Sequence, residues 1–229
     1  MWRIALLAAA EPSHSWATRW TACVWQFVLA RRSAEILSLE LRDIRLLPPG
    51  GVAVQVRRFK GGERRAIMER LTLCVPAAPA GVPHDLAMEL LLRLLARLQR
   101  ERAPPSRLIF SVPELDRAPT AGDLTSWLLV AVARVGARPP PGALYSSFSC
   151  RSGGATRLHA CGVSRPGIAR MLGHSRNDPA VADAHYVDAL APASMEAYWL
   201  VGRYTLSPPA FVAASHAPSL GQSAVSRAA

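Results

Sequence analysis

Between Tyr145 and Leu190 the sequence reads YSSFSCRSGGATRLHACGVSRPGIARMLGHSRNDPAVADAHYVDAL, which holds three side chains able to act on one phosphate: Arg151, His174 and Tyr186. A guanidinium offers phosphate oxygens a planar fork of donors, a histidine adds a hydrogen bond, and a tyrosine hydroxyl can serve as a nucleophile. Together they are suited to attacking a phosphodiester without a metal ion. Two more groups come from the front half of the chain. Arg32 stands three residues before Glu35, a helical spacing at which a carboxylate can orient a guanidinium. Lys60 is the one lysine among 27 basic residues, and its ammonium can release a proton where a guanidinium cannot.

The elements that must position these groups are legible from apolar periodicity. Trp16, Trp20, Cys23, Val24, Phe27 and Val28 share one face of a helix predicted over residues 15–30, which delivers the chain to Arg31 and Arg32. A second helix is predicted over residues 33–41, with Ile36, Leu37 and Leu41 inward. Residues 44–47 read as a short strand closed by a Pro-Pro-Gly-Gly turn. Val52, Val54 and Val56 then alternate as in a half-buried strand, and residues 66–75 can return antiparallel to it. The link between them, RRFKGGERR, favours a tight hairpin with Lys60 near its tip, a place where a lysine is ordinarily a solvated turn residue. Leucines at 86, 90, 91, 94, 95 and 98 mark a core helix over residues 85–102 whose arginines 93, 97 and 100 form a solvated face. Thr120 and Asp123 form a capping box that opens a helix through Val135, with Leu124, Trp127, Leu128, Ala131 and Val132 inward. Leu108, Ile109 and Phe110 anchor the loop before it.

After the linker GARPPPGA, glycines and prolines divide the stretch with Arg151, His174 and Tyr186 into three helices, and a last helix through Tyr204 carries Met195, Tyr198, Trp199 and Leu200. The organisation read from these patterns is a lead over residues 1–14, one main domain over residues 15–206 and a disordered Ala/Ser/Pro tail over residues 207–229. There are no internal repeats.

A formal charge of +11 and a pI near 10.8 suit a polyanionic partner, although a coding bias toward arginine would give the same charge. Four cysteines without paired spacing, and no secretory signal, imply free thiols in a reducing, intracellular compartment. The opening MWRIALLAAA is too short an apolar run to span a bilayer. Cys150, His159, Cys161, His174 and His185 match none of the usual zinc spacings, so no metal and no cofactor are expected.

Several segments share a family resemblance. ARRSAEILSLELRDI resembles the first catalytic box of the tyrosine recombinase (phage-integrase-like) family, VRRFKGG its hairpin lysine, FSCRSGGATRLHACGV its second box, GIARMLGHS its Leu-Gly-His box, and AHYVD the surroundings of its nucleophile. The boxes occur in the family's order and cover roughly residues 16–204, and the RSGGAT wording is similar to recombinases of eukaryotic retroelements. The resemblance implies an α+β, mainly helical fold, a helical bundle with a small antiparallel three-stranded sheet. It matches Arg32 and Arg151 to the two clamping arginines, Lys60 to the general acid, His174 to the phosphate donor and Tyr186 to the nucleophile. Glu35 is then a supporting residue, and Arg57, Arg58, Arg64 and Arg65 around the hairpin bind DNA.

The same resemblance implies strand cleavage and rejoining through a 3′-phosphotyrosyl link, on double-stranded DNA, by a homo-oligomer that is a tetramer in such enzymes. The setting is intracellular, and the nucleus if the host is eukaryotic. Phe148 departs from the pattern, since the family places a histidine three residues before the second arginine, and a phenyl ring can neither accept a proton nor bond a phosphate. The His174 to Tyr186 interval is slightly longer than usual, which leaves His185 and Tyr198 as rival assignments. The family's N-terminal DNA-clamping domain has no counterpart before Trp16, so the resemblance implies a catalytic domain alone. A catalytically impaired DNA-binding relic is the second reading, and a helical interaction protein that is basic through codon bias is the third.

Overall fold

The computed structural model describes residues 1–48, 50–56, 71–75, 85–139, 141–142, 144–160 and 172. Among them are the helices α1 (Trp2–Ala10), α2 (His14–Leu29), α3 (Ser33–Leu37), α4 (Leu86–Arg100), α5 (Ala121–Arg134) and α6 (Ser147–Ala160). The strands are β1 (Ile44–Leu47), β2 (Gly51–Val56) and β3 (Leu71–Val75). The fold is therefore α+β and mainly helical, as the resemblance implies.

The helix α2 is the centre of the packing. The Ser13 hydroxyl accepts the Trp16 N–H at 3.4 Å and so satisfies one donor of the first turn. The apolar face expected from sequence is buried at Trp20, Cys23, Val24 and Val28, but Ala22, Trp25, Gln26 and Leu29 are buried as well. Helices α1, α4, α5 and α6 surround α2, so a one-sided amphipathic reading understates its burial. Trp25 shows how the opposite face is accommodated: its indole N–H donates to Ala87 O at 2.8 Å, at the start of α4. The lead over residues 1–14 contains α1, which places Ile4, Ala5 and Ala8 in the same core.

The second predicted helix is shorter than its apolar spacing suggested. It ends at Leu37, and a 3₁₀ turn over Leu41–Asp43 follows. The segment near residues 105–109 takes the backbone instead: Leu41 N–H donates to Arg107 O and Arg42 N–H to Pro105 O, both at 2.9 Å, while Ile109 N–H donates to Leu39 O at 3.0 Å. Those bonds fix the loop that Ile109 and Phe110 anchor in the core.

The three strands form an antiparallel meander in the order β1-β2-β3, with Val54 opposite Ile44 on one side and Leu73 on the other. Val52, Val54 and Val56 are buried, and so is Ala53 on the opposite face, so the middle strand is covered on both faces rather than half-buried. The hairpin link over residues 57–70 lies outside the described residues.

In α4 the Asp85 carboxylate caps the helix by accepting the Met88 N–H at 3.1 Å. Of its basic face, Arg93 and Arg100 are exposed as expected, and Arg97 is partly buried. Arg97 donates to His14 O and to Thr18 Oγ1, both at 3.1 Å, and Arg93 donates to Ala9 O at 3.2 Å, so these arginines fasten α4 to the first two helices. The predicted capping box of α5 is present: Thr120 N–H donates to Asp123 Oδ2 at 2.7 Å, and Asp123 N–H to Thr120 Oγ1 at 3.4 Å. All five side chains assigned to its inner face are buried. Among the described residues, no helix is long and apolar enough to cross a membrane.

Candidate functional site

The site begins where α2 ends. Ala30 adopts a left-handed conformation (φ 51°) and its N–H donates to Phe27 O at 3.2 Å. That conformation costs a residue with a Cβ roughly 1 kcal/mol, and here it turns the chain sharply inward. Arg31, next in sequence, is 0% exposed. The bend is held by the buried Gln26, whose Nε2 donates to Arg31 O at 3.3 Å and to Ser33 Oγ at 3.0 Å.

Glu35, one turn into α3 and 2% exposed, receives two arginines. Arg31 Nε lies 2.9 Å from Glu35 Oε2, and Arg32 Nη1 lies 3.2 Å from Glu35 Oε1. The Arg32 N–H also donates to Glu35 Oε2 at 3.1 Å, so the carboxylate caps α3 while it orients the side chains. Arg32 keeps about a third of its side chain exposed, which places it at the rim of the cluster.

The second arginine arrives on α6, whose first turn is anchored by Ser147 N–H donating to Thr125 Oγ1 of α5 at 2.9 Å. The two consecutive glycines in this helix cost about 1 kcal/mol each relative to alanine, and the structure shows what they permit. A Cβ on Gly154 would collide with the backbone oxygen of Phe27 and sit 3.2 Å from Ala30 Cβ; one on Gly153 would sit 2.9 Å from the Phe27 ring. α6 thereby lies against the very turn that aims Arg31 and Arg32. Arg151, 6% exposed, is brought within electrostatic reach of all three groups. Burial lowers its pKa first, the Arg32 charge lowers it further, Glu35 opposes this, and Arg31 adds to the lowering. A guanidinium stays charged through such a shift.

Arg151 Nη2 donates to Leu172 O at 2.7 Å. This ties α6 to the Leu-Gly-His segment two residues before His174, so half of the fork is occupied by backbone. No acceptor lies on the buried Arg151 Nη1 among the described residues.

Of the residues singled out in the sequence, Arg32, Glu35 and Arg151 come together. Lys60, Arg57, Arg58, Arg64, Arg65, His174 and Tyr186 lie outside the described residues, as do His185 and Tyr198. Phe148 stands in the first turn of α6 and is 68% exposed. Cys150 is buried, its thiol pushed up to about 12 by desolvation. Among the described residues no group of histidine, cysteine and carboxylate side chains is placed to hold a metal ion. Arg31 is the group that sequence reasoning passed over: the Arg-x-x-Glu spacing selects Arg32, and only the left-handed turn at Ala30 shows that its neighbour faces inward.

A mainly helical α+β chain with this small antiparallel sheet has the fold of tyrosine recombinase catalytic domains. Among solved structures it is similar to the XerH site-specific recombinase bound to difH substrate in a pre-cleavage complex, with a TM-score of 0.57 and 15% identity over 76% of this chain and 45% of that chain. The XerH post-cleavage complex on palindromic difH substrate matches with a TM-score of 0.56 and 15% identity, over 93% of this chain and 50% of that one. At such identity the likeness is one of fold, and the chain spans about half the length of the solved recombinases it matches. No family model matches the chain, and no curated protein matches it by sequence.

Proposed function

We propose that this chain is the catalytic part of a DNA-breaking and rejoining enzyme of the tyrosine recombinase family, acting in site-specific recombination or in the integration of a mobile element. The observation that carries the reading is the cluster in which Arg31 and Arg32 pair with Glu35 while Arg151 lies within electrostatic reach of all three. Arg151, buried beside the Arg32 charge, loses hydration and meets repulsion. A bound phosphate relieves both penalties, and a phosphodiester under attack, which gathers negative charge on its non-bridging oxygens, relieves them most.

In this scheme Arg32 and the Arg151 Nη1, which has no acceptor among the described residues, hold the non-bridging oxygens. The Tyr186 hydroxyl gives up its proton to solvent, since Phe148 cannot take it, and its oxygen attacks phosphorus, forming a 3′-phosphotyrosyl bond as the bond to the 5′-oxygen breaks. Lys60 gives that oxygen its proton and His174 donates a hydrogen bond to the phosphate. Because the link stores the bond energy, a 5′-hydroxyl from another strand can reverse the step without ATP, metal or cofactor. Arg57, Arg58, Arg64 and Arg65 contact flanking phosphates of double-stranded DNA, and a tetramer of copies performs the exchange. The enzyme works inside the cell, in the nucleus of a eukaryotic host; the RSGGAT wording supports a retroelement origin.

Nicked suicide duplexes, which trap a covalent intermediate, provide the test. The wild-type chain should form an adduct that resists denaturant, and Tyr186→Phe should form none; an adduct that survives this change overturns the choice of nucleophile. The exposed phenyl ring of Phe148, where the family has a histidine, favours the second reading of an impaired DNA-binding relic. That reading predicts salt-sensitive duplex binding with no adduct, and the relic would gain cleavage from Phe148→His only if the remaining chemistry is intact.

A further inference from the structure

We propose that Phe148 is a base-stacking residue, presenting its ring to an unstacked nucleobase next to the phosphate held by Arg151. The inference rests on the proposed DNA chemistry and assigns a role to the residue that departs from the family pattern.

Phe148 is 68% exposed, and Leu144, just before α6, and Leu129, on α5, are also apolar and open, at 89% and 47%. A single exposed hydrophobe is ordinary. Phe148 and Leu129 belong to helices joined by the bond from Ser147 N–H to Thr125 Oγ1 at 2.9 Å, and Leu129 follows Thr125 by one turn on the same helix face. The first turn is further fixed by Ser146 N–H donating to Ser149 Oγ at 3.0 Å. The ring therefore stands on a rigid mount.

Charge identifies what covers it. Arg151 lies three residues farther along α6, on the same side of the helix by spacing, and its buried Nη1 has no acceptor among the described residues. Arg32 is exposed at the rim of the same cluster. The first turn of α6 carries no acidic residue to offset its positive end. An apolar ring one helical turn from Arg151, with Arg32 at the rim of the same cluster, suits a ligand that joins an anion to a flat aromatic face, and a nucleotide within a DNA strand is that ligand. In an intact duplex both faces of each base are already stacked, so the ring gains a partner only where a base is unstacked, as at a nick or gap. A histidine at this position would bond the phosphate; the phenyl ring grips the neighbouring base instead.

The test compares the affinity of the full chain for an intact duplex and for the same duplex with a one-nucleotide gap flanked by 2-aminopurine, by fluorescence anisotropy and by 2-aminopurine emission. The wild-type chain should favour the gapped duplex by roughly 10-fold, the scale of one stacked base, and quench the probe. Phe148→Ala should bring the ratio near one and restore emission, whereas Phe148→Trp should keep both. If the chain binds both duplexes in a salt-dependent way but Phe148→Ala leaves ratio and quenching unchanged, the stacking role is wrong and the DNA reading stands. Failure to bind either duplex removes the DNA reading and this inference with it. A Phe148→Ala variant that turns an oligomer into a monomer with the ratio unmoved would make the ring a contact between copies, which also overturns the proposal.

Discussion

Glu35 faces Arg31 and Arg32 at 2.9 and 3.2 Å from inside the protein, which makes its charge more consequential than that of a surface carboxylate. Glu35→Gln should cost about 3–5 kcal/mol in urea unfolding, because it leaves a buried guanidinium facing a neutral amide. Adding Arg31→Met should recover part of that loss, since the charge that needed a partner is gone; a double variant whose cost is the sum of the two singles would refute this coupling. The position of Arg32 and Glu35 could be read from a three-residue spacing, because an α-helix sets that distance locally. Arg31 could not, since its burial depends on one backbone turn and on the helix packed against it. At the same scale, Cys150 should resist iodoacetamide in the native protein at pH 8, because burial pushes its thiol up to about 12, and it should react once the chain is unfolded. Peptide mass spectrometry would show rapid native labelling if the burial is misassigned.

Most of the helices were legible, although α1 was read only as part of a lead, and the contacts among them were not. The capping box of α5 joins Thr120 and Asp123 within one turn, so sequence shows it directly. Arg117 donates to both Asp123 oxygens, at 2.6 and 2.9 Å, and this pairing holds the carboxyl well below the usual carboxylate range. A lowered folded-state pKa means stability that is complete above the unfolded value near 4 and is lost as pH falls toward the folded one. Asp123→Ala should therefore cost about 1 kcal/mol at pH 7, with the gap to wild type narrowing below about pH 4; a pH-independent gap would point to packing instead. The junction of α6 with α2 has no such local signature. Gly154→Ala should cost about 2–3 kcal/mol through the clash with Phe27 O, although alanine is the better helix former. Gly153→Ala should cost less, because the Phe27 ring it meets can move. Equal costs for the two would contradict this geometry.

For the molecule as a whole, a site where Arg32 reaches the rim and the buried Arg151 Nη1 has no acceptor among the described residues should be stabilised by an anion. Short duplex DNA at about 100 times its Kd should stabilise the fold by about 2.7 kcal/mol, seen as a rise in Tm that chloride at equal ionic strength does not reproduce and that Arg151→Ala reduces. An equal rise in the variant would place the anion elsewhere. Sequence by itself determined the three strands, the capping box of α5, and the spacing that pairs Arg32 with Glu35. Each of these is decided by residues within a turn or an alternation of one another. Only the tertiary structure decided that α2 is buried on nearly every side, that α3 stops at Leu37, that Arg31 joins the cluster, and that Arg151 spends one nitrogen on Leu172 O. Those outcomes rest on segments far apart in sequence, the close approach of Gly154 to Phe27 above all, and no local pattern encodes which distant backbone will arrive beside a given residue.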